Sequence, residues 1–455
     1  MHLFSKRKQS MPTRACIYYK PFTIAFAICS FAAGTLSAAQ ANTIDPPHVG
    51  EPQGELTLRK AYSYALVNSP RLAGYAIDIR IAEAETLQSG LLPNPELEVE
   101  AEEFGGSDET SGFDNAESTV LLSQLLELGG KRKHRVKTAK LSEDVSRFAY
   151  EQARMLLLTE VSKAFISVLA AQEQLELLQK NAKLASEALD GAKTRVESGE
   201  ASPLEQLKAQ SVLASEEISA RQAERKLDAA RRQLAELYGS DDPKFSHVSG
   251  KLRQSIQLPT QLSLKQTLER HPEMLRWAAL LEQHRQVVAL EESKAIPDLT
   301  VGVGLKHFNG DDNLSGVVQF SVPLPLFDRN QGNIRKAREE LGKAHENSRA
   351  IRINALVALT STHRKLEFLR DEVENIERNL LSSSQSVQEK TWRAYQEGKA
   401  SYLEVIDAQR MFAEARIRHT ETLVEYNKAF FELEALAGRP LSEINSNENN
   451  EYEKF

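Results

Sequence analysis

Cysteine is almost missing from this 455-residue chain: there are two, Cys16 and Cys29, both near its start. The body of the chain therefore has no thiol, which excludes a disulfide framework, a cysteine-ligated zinc cluster and a cysteine nucleophile together. The motifs of common catalytic sites are lacking as well: there is no His-Glu-x-x-His pair, no phosphate-binding glycine loop and no nucleophile elbow. His134, His247, His271, His284, His307, His345, His363 and His419 are scattered without ligand spacing. A lone histidine on a helix is usually a polar surface residue, so no metal site, no cofactor and no enzymatic activity are expected. A basic excess is also absent. With 57 Lys+Arg against 64 Asp+Glu the formal charge is -7, which argues against a generic nucleic-acid binder. Apolar residues at 41% and charged residues at 27% exclude both a disordered polyelectrolyte and a stack of hydrophobic membrane helices.

The first 41 residues read as a secretory leader. Lys6, Arg7, Lys8, Arg14 and Lys20 precede an apolar run from Phe22 to Leu36, and Ala39-Gln40-Ala41 offers small residues for cleavage before Asn42. The alternative is a membrane anchor, for which this alanine-rich run is short. Ile28 before Cys29 fits a lipoprotein signal poorly. Cleavage would remove both cysteines and five positive charges, leaving a thiol-free and more acidic mature protein.

The mature chain repeats itself. Pro70 and Pro95 recur at Pro272 and Pro297, and ESGEASPLEQLKAQ from Glu197 recurs as QEGKASYLEVIDAQ from Gln396, each roughly 200 residues on. The expected organisation is a leader at 1–41, a polar segment at 42–55, a first repeat at 56–238, a linker at 239–261, a second repeat at 262–437 and a polar tail at 438–455. Each repeat holds a helix, a β-hairpin (96–126 or 298–322) and a long helical hairpin (131–238 or 333–437).

Glu96 to Glu102 alternates carboxylates with Leu97, Val99 and Ala101, a pattern that only an extended chain sorts onto two faces. Each predicted strand is close to the roughly 9–11 residues a tilted strand needs to cross a bilayer. From Lys131 to Glu197 there is no proline and one glycine, Gly191; as a helix this runs on the order of 100 Å. Asn333 to Glu397 repeats the feature. At the far ends, Gly199 and Gly398 suit left-handed C-caps, Ser202 and Ser401 suit N-caps, and Glu205 and Glu404 would complete capping boxes. A plain coiled-coil fibre or a periplasmic coiled-coil adaptor has such helices but does not require the strands.

Four strands cannot close a membrane barrel, which takes about eight at the least. Open edges in lipid are forbidden, so strands from several chains must join. The fold class expected is an α+β membrane protein, internally duplicated, with a long helical periplasmic barrel and four transmembrane strands per chain.

The chain resembles the TolC-like outer-membrane factor family over essentially its whole mature length, and within it the CzcC-like members that serve heavy-metal efflux. LLPNPELEVE (Leu91 to Glu100), SQLLELGGKRKHRV (Ser123 to Val136), VPLPLFDRNQGNIRKA (Val322 to Ala337) and the two tip motifs carry the resemblance. It implies a homotrimer with a twelve-stranded barrel in the outer membrane of a Gram-negative cell, above a twelve-helix periplasmic tube. It further implies a periplasmic adaptor and an inner-membrane pump of the resistance-nodulation-division type as partners. The channel would be a passive duct for cations of the cobalt, zinc and cadmium class, or else for drugs or secreted protein.

Three groups of residues are candidates for the transport path. By resemblance, Glu404 and Asp407, with Glu205 as their counterpart in the first repeat, constrict the periplasmic entrance; the other account is that such acids favour the helix dipole and the caps. Gly199, Ser202, Gly398 and Ser401 have a full explanation as caps, to which the resemblance adds docking of the adaptor. Glu96, Glu98, Glu100 and Glu102 either line the pore and concentrate cations or form an ordinary water-facing strand side. A fourth, basic group comprises Lys131, Arg132, Lys133, Arg135 and Lys137, echoed by Arg329, Arg335, Lys336 and Arg338. It opposes the helix dipole, and either meets phosphates of outer-membrane lipid or is a solvated face.

Overall fold

The computed structural model describes residues 50–252 and 258–444. The leader read at 1–41 and residues 445–455 of the tail lie outside the described residues.

The first described element is a short strand, β1 (Gly54–Thr57), whose last residue caps α1 (Leu58–Asn68): the Thr57 side chain accepts from the Lys60 N–H at 3.4 Å. Pro70 opens α2 (Pro70–Ser89) at a position where its missing N–H has no helical partner to lose. The first hairpin is β2 (Glu96–Glu102) and β3 (Glu117–Leu126), followed by α3 (Lys131–Glu197, 67 residues) and α4 (Pro203–Glu236). A strand β4 (Phe245–Ser249) intervenes. The second repeat then runs through α5 (Gln261–Thr267), α6 (Pro272–Lys294), β5 (Leu299–Phe308), β6 (Asn313–Ser321), α7 (Gln331–Asn375), α8 (Ser382–Gln396) and α9 (Tyr402–Ala437).

The strands of the two hairpins form one antiparallel sheet in the order β2-β3-β5-β6. Beneath it α3 packs between α2 and α6, and α6 packs against α7, so α2 and α7 are the outer members of that helical layer. The core lies where α3, α7 and α9 meet. Leu157, Val161, Phe165 and Val168 of α3, Leu359, Leu366 and Val373 of α7, and Tyr426, Phe430 and Leu433 of α9 are all buried there. Their spacing is the three-and-four rhythm of one helical face. α3 is also the one described helix long and apolar enough to cross a bilayer by composition, and its Leu157, Val161, Phe165, Ile166, Val168 and Leu169 belong to this packed core.

Four expectations are corrected. Residues 239–261 are more than a polar linker, and residues 42–55 more than a polar lead: β4 pairs in parallel with β1, burying Leu56, Phe245 and Val248 completely or nearly so. Gln172 of α3 clamps this pair, its side chain donating to the Val248 carbonyl at 3.0 Å and accepting from the Val248 N–H at 2.8 Å. The tail is not polar throughout, since Leu441 and Ile444 enter the core. The long helix expected from Asn333 to Glu397 is interrupted by a π-helical turn, Ile376–Leu381, between α7 and α8. Such a turn accommodates an extra residue, and here Ile376 stays buried while Glu377 reaches His419 of α9.

Candidate channel wall and entrance

Residues directly opposite on paired strands share a face, and neighbours along a strand alternate between faces. The observed register places Glu98 opposite Leu121, Glu100 opposite Thr119, Thr119 opposite Lys306 and Lys306 opposite Ser315. One face therefore carries Glu96, Glu98, Glu100 and Glu102 together with Glu117, Thr119, Ser123, Lys306, Ser315 and Gln319. The other carries Leu97, Val99, Val120, Leu122, Val303, Leu305, Val318 and Phe320, every one of them exposed in the single chain. Each such side chain forgoes roughly 1.5–3 kcal/mol of burial in water. Eight of them would together forgo at most about 12–24 kcal/mol, comparable with the about 5–15 kcal/mol that stabilises an ordinary domain, so this face is built for hydrocarbon.

The carboxylate face has a graded charge. Lys306 Nζ contacts both Glu117 and Glu102, the latter at 3.2 Å, so part of the negative charge at one end of the face is offset. Glu96, Glu98 and Glu100 stand exposed toward the other end. Beside Lys306, a Cβ added at Gly304 would meet the Val120 carbonyl oxygen at 2.3 Å, and Leu121 occupies the space the glycines leave. That close approach explains the alternating glycines of β5. Pairing across hairpins, which strand alternation does not disclose, is what brings Lys306 to the acids.

β2 and β6 are the edges of this sheet, and neither has a second partner among the described residues. Unpaired backbone groups cost several kcal/mol each in lipid. Because all pairings are antiparallel, β2 and β6 run in opposite directions, and the β6 edge of one copy matches the β2 edge of another without breaking the alternation.

The two hairpin tips end α3 and α8 with the same device. The Gly199 N–H donates to the Val196 carbonyl at 3.1 Å and the Glu200 N–H to the Arg195 carbonyl at 2.8 Å; Gly398 and Lys399 repeat this onto Tyr395 and Ala394. Both glycines have positive φ, +77° and +69°, a conformation a side chain would strain. Beyond them the tips differ. Ser401 and Glu404 form the full capping box, and the Ser401 N–H and hydroxyl hold the Glu404 carboxylate below the usual carboxylate range. Ser202 accepts from the Leu204 N–H, but Glu205 does not close the expected box. It pairs instead with Arg195 at 3.0 Å.

That guanidinium also donates to the Tyr395 hydroxyl at 3.1 Å, joining the two tips. Tyr402 is buried at the same junction against Leu189, Ala192 and Ala209, and burial raises its hydroxyl above the ordinary tyrosine range. Arg195, Tyr395 and Tyr402 were not singled out in the sequence, although each lies within four residues of a tip glycine. Of the three entrance candidates, then, Glu404 is held by its cap and Glu205 by Arg195. Asp407 is exposed, and Arg410 approaches it at 3.5 Å.

The basic group after each hairpin has intrachain partners that sequence reading did not anticipate. Lys131 pairs with Asp298 at 2.6 Å, Arg135 with Glu127 at 2.5 Å and Arg338 with Glu292 at 2.7 Å. Arg132 and Arg135 donate to the carbonyls of Gly90 and Ser89 at the end of α2, where a helix presents its negative pole. These contacts offset the unfavourable dipole without lipid phosphates. The histidines are likewise not all surface residues. His271 and His363 are buried, His363 bonding the Pro259 carbonyl at 3.0 Å, and His419 pairs with Glu377 at 2.9 Å. Among the described residues no group of three or more His, Asp or Glu is arranged to hold a metal ion.

A duplicated chain with a lipid-facing half-open sheet and long helical hairpins defines a subunit of an outer-membrane channel. The chain belongs to the outer membrane efflux protein family, whose pattern matches it twice, over residues 61–240 and 263–439. It is 30% identical over 413 residues to the cobalt-zinc-cadmium resistance protein CzcC of Cupriavidus metallidurans, covering 90% of this chain and 97% of that relative. It is 25% identical over 391 residues to the pyoverdine export outer membrane protein OpmQ of Pseudomonas aeruginosa, covering 79% and 80%. Its fold is that of a crystal structure of CusC (TM-score 0.71, 20% identity, 84% of this chain and 92% of that one). It is also that of the Campylobacter jejuni CmeC outer membrane channel (TM-score 0.70, 16% identity, 87% and 89%).

Proposed function

We propose that three copies of this chain form the outer-membrane duct of a tripartite efflux system that exports heavy-metal cations of the cobalt, zinc and cadmium class. The observation that carries the duct is the sheet with one hydrocarbon-facing side, one carboxylate side and two complementary free edges. Three copies supply twelve strands, enough to close a barrel around an aqueous lumen. The cargo class is supported by the likeness to CzcC across nearly the whole of that relative. The carboxylate face suits it, since fixed acids raise the local concentration of cations without binding them tightly. The duct performs no chemistry. A periplasmic adaptor meets the tips around Gly199, Ser202, Gly398 and Ser401, and an inner-membrane pump of the resistance-nodulation-division type supplies the driving force.

A deletion strain tested on a panel of metals and drugs checks this reading. Loss of resistance to cobalt, zinc or cadmium, restored by the gene, is expected, together with heat-modifiable trimers in the outer-membrane fraction. Sensitivity confined to organic compounds would reassign the cargo to the class represented by OpmQ, and a water-soluble monomer would remove the duct.

A further inference from the structure

Both free edges of the sheet are flanked, at the same end, by exposed apolar steps. After β6 the chain runs Val322-Pro323-Leu324-Pro325-Leu326-Phe327 before α7. Phe327 is 90% and Leu324 77% exposed, the two most open large apolar side chains among the described residues. This step is rigid. Two prolines hold their own φ and keep Val322 and Leu324 extended, and the Leu326 N–H folds back onto the Leu324 carbonyl at 2.9 Å. Asn330 then ties the following turn to the Glu291 carbonyl and carboxylate at 2.8 and 2.7 Å. A segment braced in this way presents its leucines and phenylalanine in fixed positions.

Before β2 stands the other step. Leu91 and Leu92 are exposed beside a groove of about 700 Å³ whose lining includes Leu91, Leu92, Pro93, Ala139 and Leu290. Of its charged lining residues Glu85, Glu127 and Arg135, the last two neutralise each other, and Leu91, Leu92, Pro93 and Leu290 offer apolar surface to a guest.

The topology brings the two steps together between copies. β6 ends at the level where an antiparallel β2 begins. With Ser321 of one copy beside Glu96 of the next, the antiparallel register sets Leu324 level with Pro93, and the turn after Leu324 shortens the chain, which keeps Leu326 and Phe327 at the level of the Leu91–Leu92 step. We propose that Leu324, Leu326 and Phe327 of one copy seat against Leu91 and Leu92 of the next and fill the adjoining groove, sealing the seam beneath the barrel. This contact rests on the assembly proposed above and specifies where it is closed.

Disulfide trapping in the full-length chain tests it, with Cys16 and Cys29 replaced by Ser throughout. Phe327→Cys is combined with Leu91→Cys or Leu92→Cys. A bond requires Cα atoms within roughly 7 Å, so oxidation should move the monomer band into a ladder ending at trimer, and neither single variant should do so. Leu324→Cys with Leu92→Cys serves if the first pair fails to assemble. A separate seam control joins Val99→Cys with Gly316→Cys, Val318→Cys or Phe320→Cys in turn. A control that traps while the Phe327 and Leu324 pairs do not overturns this contact and leaves the assembly standing. Failure of every pair in a chain that runs as a monomer overturns both. A bimane label at Phe327→Cys that is quenched by brominated lipid chains assigns the step to the membrane and also overturns the contact. In parallel, Phe327→Ala should lower the temperature at which trimers dissociate in detergent and Phe327→Leu should largely restore it; unaltered dissociation of Phe327→Ala counts against the seam.

Discussion

Lys131 and Asp298 form an ion pair at 2.6 Å that joins the first residue of α3 in one repeat to the approach of β5 in the other. Asp298 Oδ1 also accepts from the Leu128 N–H at 2.9 Å. A carboxylate at this helix start offsets both the dipole and the lysine. The pair is mostly buried, at 10% and 23% side-chain exposure, and removing one partner from such a pair costs about 3 kcal/mol, the lower end of the usual range. Asp298→Ala should accordingly lower the thermal dissociation temperature of the assembled protein. Lys131→Met combined with Asp298→Leu should recover most of the loss, because no uncompensated charge then remains. Additive losses in this double-mutant cycle would mean that the two residues are not coupled.

His271 sets a second link between the repeat ends and predicts a pH effect. Its Nδ1 accepts from the Glu273 N–H at 3.2 Å, capping α6, while Nε2 donates to the Ala435 carbonyl at 3.1 Å. The cap at Nδ1 requires the neutral ring, whereas Nε2–H donates in either protonation state. Burial lowers its pKa from the ordinary 6.5, against smaller opposing effects of the Ala435 carbonyl and Glu273. The unfolded chain then binds the proton more readily than the folded one, so the contribution is complete above about pH 6.5 and is lost progressively as pH falls below it. Thermal unfolding followed from pH 8 to pH 5 should show this decline in the wild type. His271→Asn keeps a capping acceptor but does not titrate, and its curve should decline less; parallel curves would assign the pH dependence to other groups.

What the sequence made legible was governed by long, regular patterns. The 67-residue α3 announced itself by uninterrupted helix formers, and β2 by the strict alternation of Glu96 through Glu102. β1 and β4 did not, because four and five residues are too few for a period to show and their partner lies far along the chain. The π-helical turn at Ile376–Leu381 is likewise absent from any propensity, being a response to packing against α9. At the tips, Ser202-x-x-Glu205 and Ser401-x-x-Glu404 have the same spacing, yet only the second forms a box. Arg195 takes Glu205, and that competition depends on tertiary proximity rather than on spacing.

The same difference separates capping from gating. Glu404→Gln keeps an acceptor for the Ser401 N–H and loses only the charge of the box, so it should cost little helix stability and leave single-channel conductance in planar bilayers nearly unchanged. Asp407→Ala should raise conductance and reduce block by multivalent cations, since its carboxylate is exposed and its contact with Arg410 is an exposed pair of little strength. If Asp407→Ala leaves both quantities as in the wild type, the entrance is not formed by this acid.

The strand carboxylates offer an internally controlled test of selectivity, because the same face holds acids and the lysine that offsets two of them. Replacing Glu96, Glu98, Glu100 and Glu102 by Gln removes the fixed negative charge of β2 and should move the reversal potential in a salt gradient toward anion preference. Lys306→Gln does the opposite. It releases Glu102 and Glu117 and should move the reversal potential further toward cations. The two shifts should shrink together as salt rises, since exposed charges are screened over about 10 Å at 0.1 M. A reversal potential unmoved by either variant at low salt would show that ions do not pass along the carboxylate face.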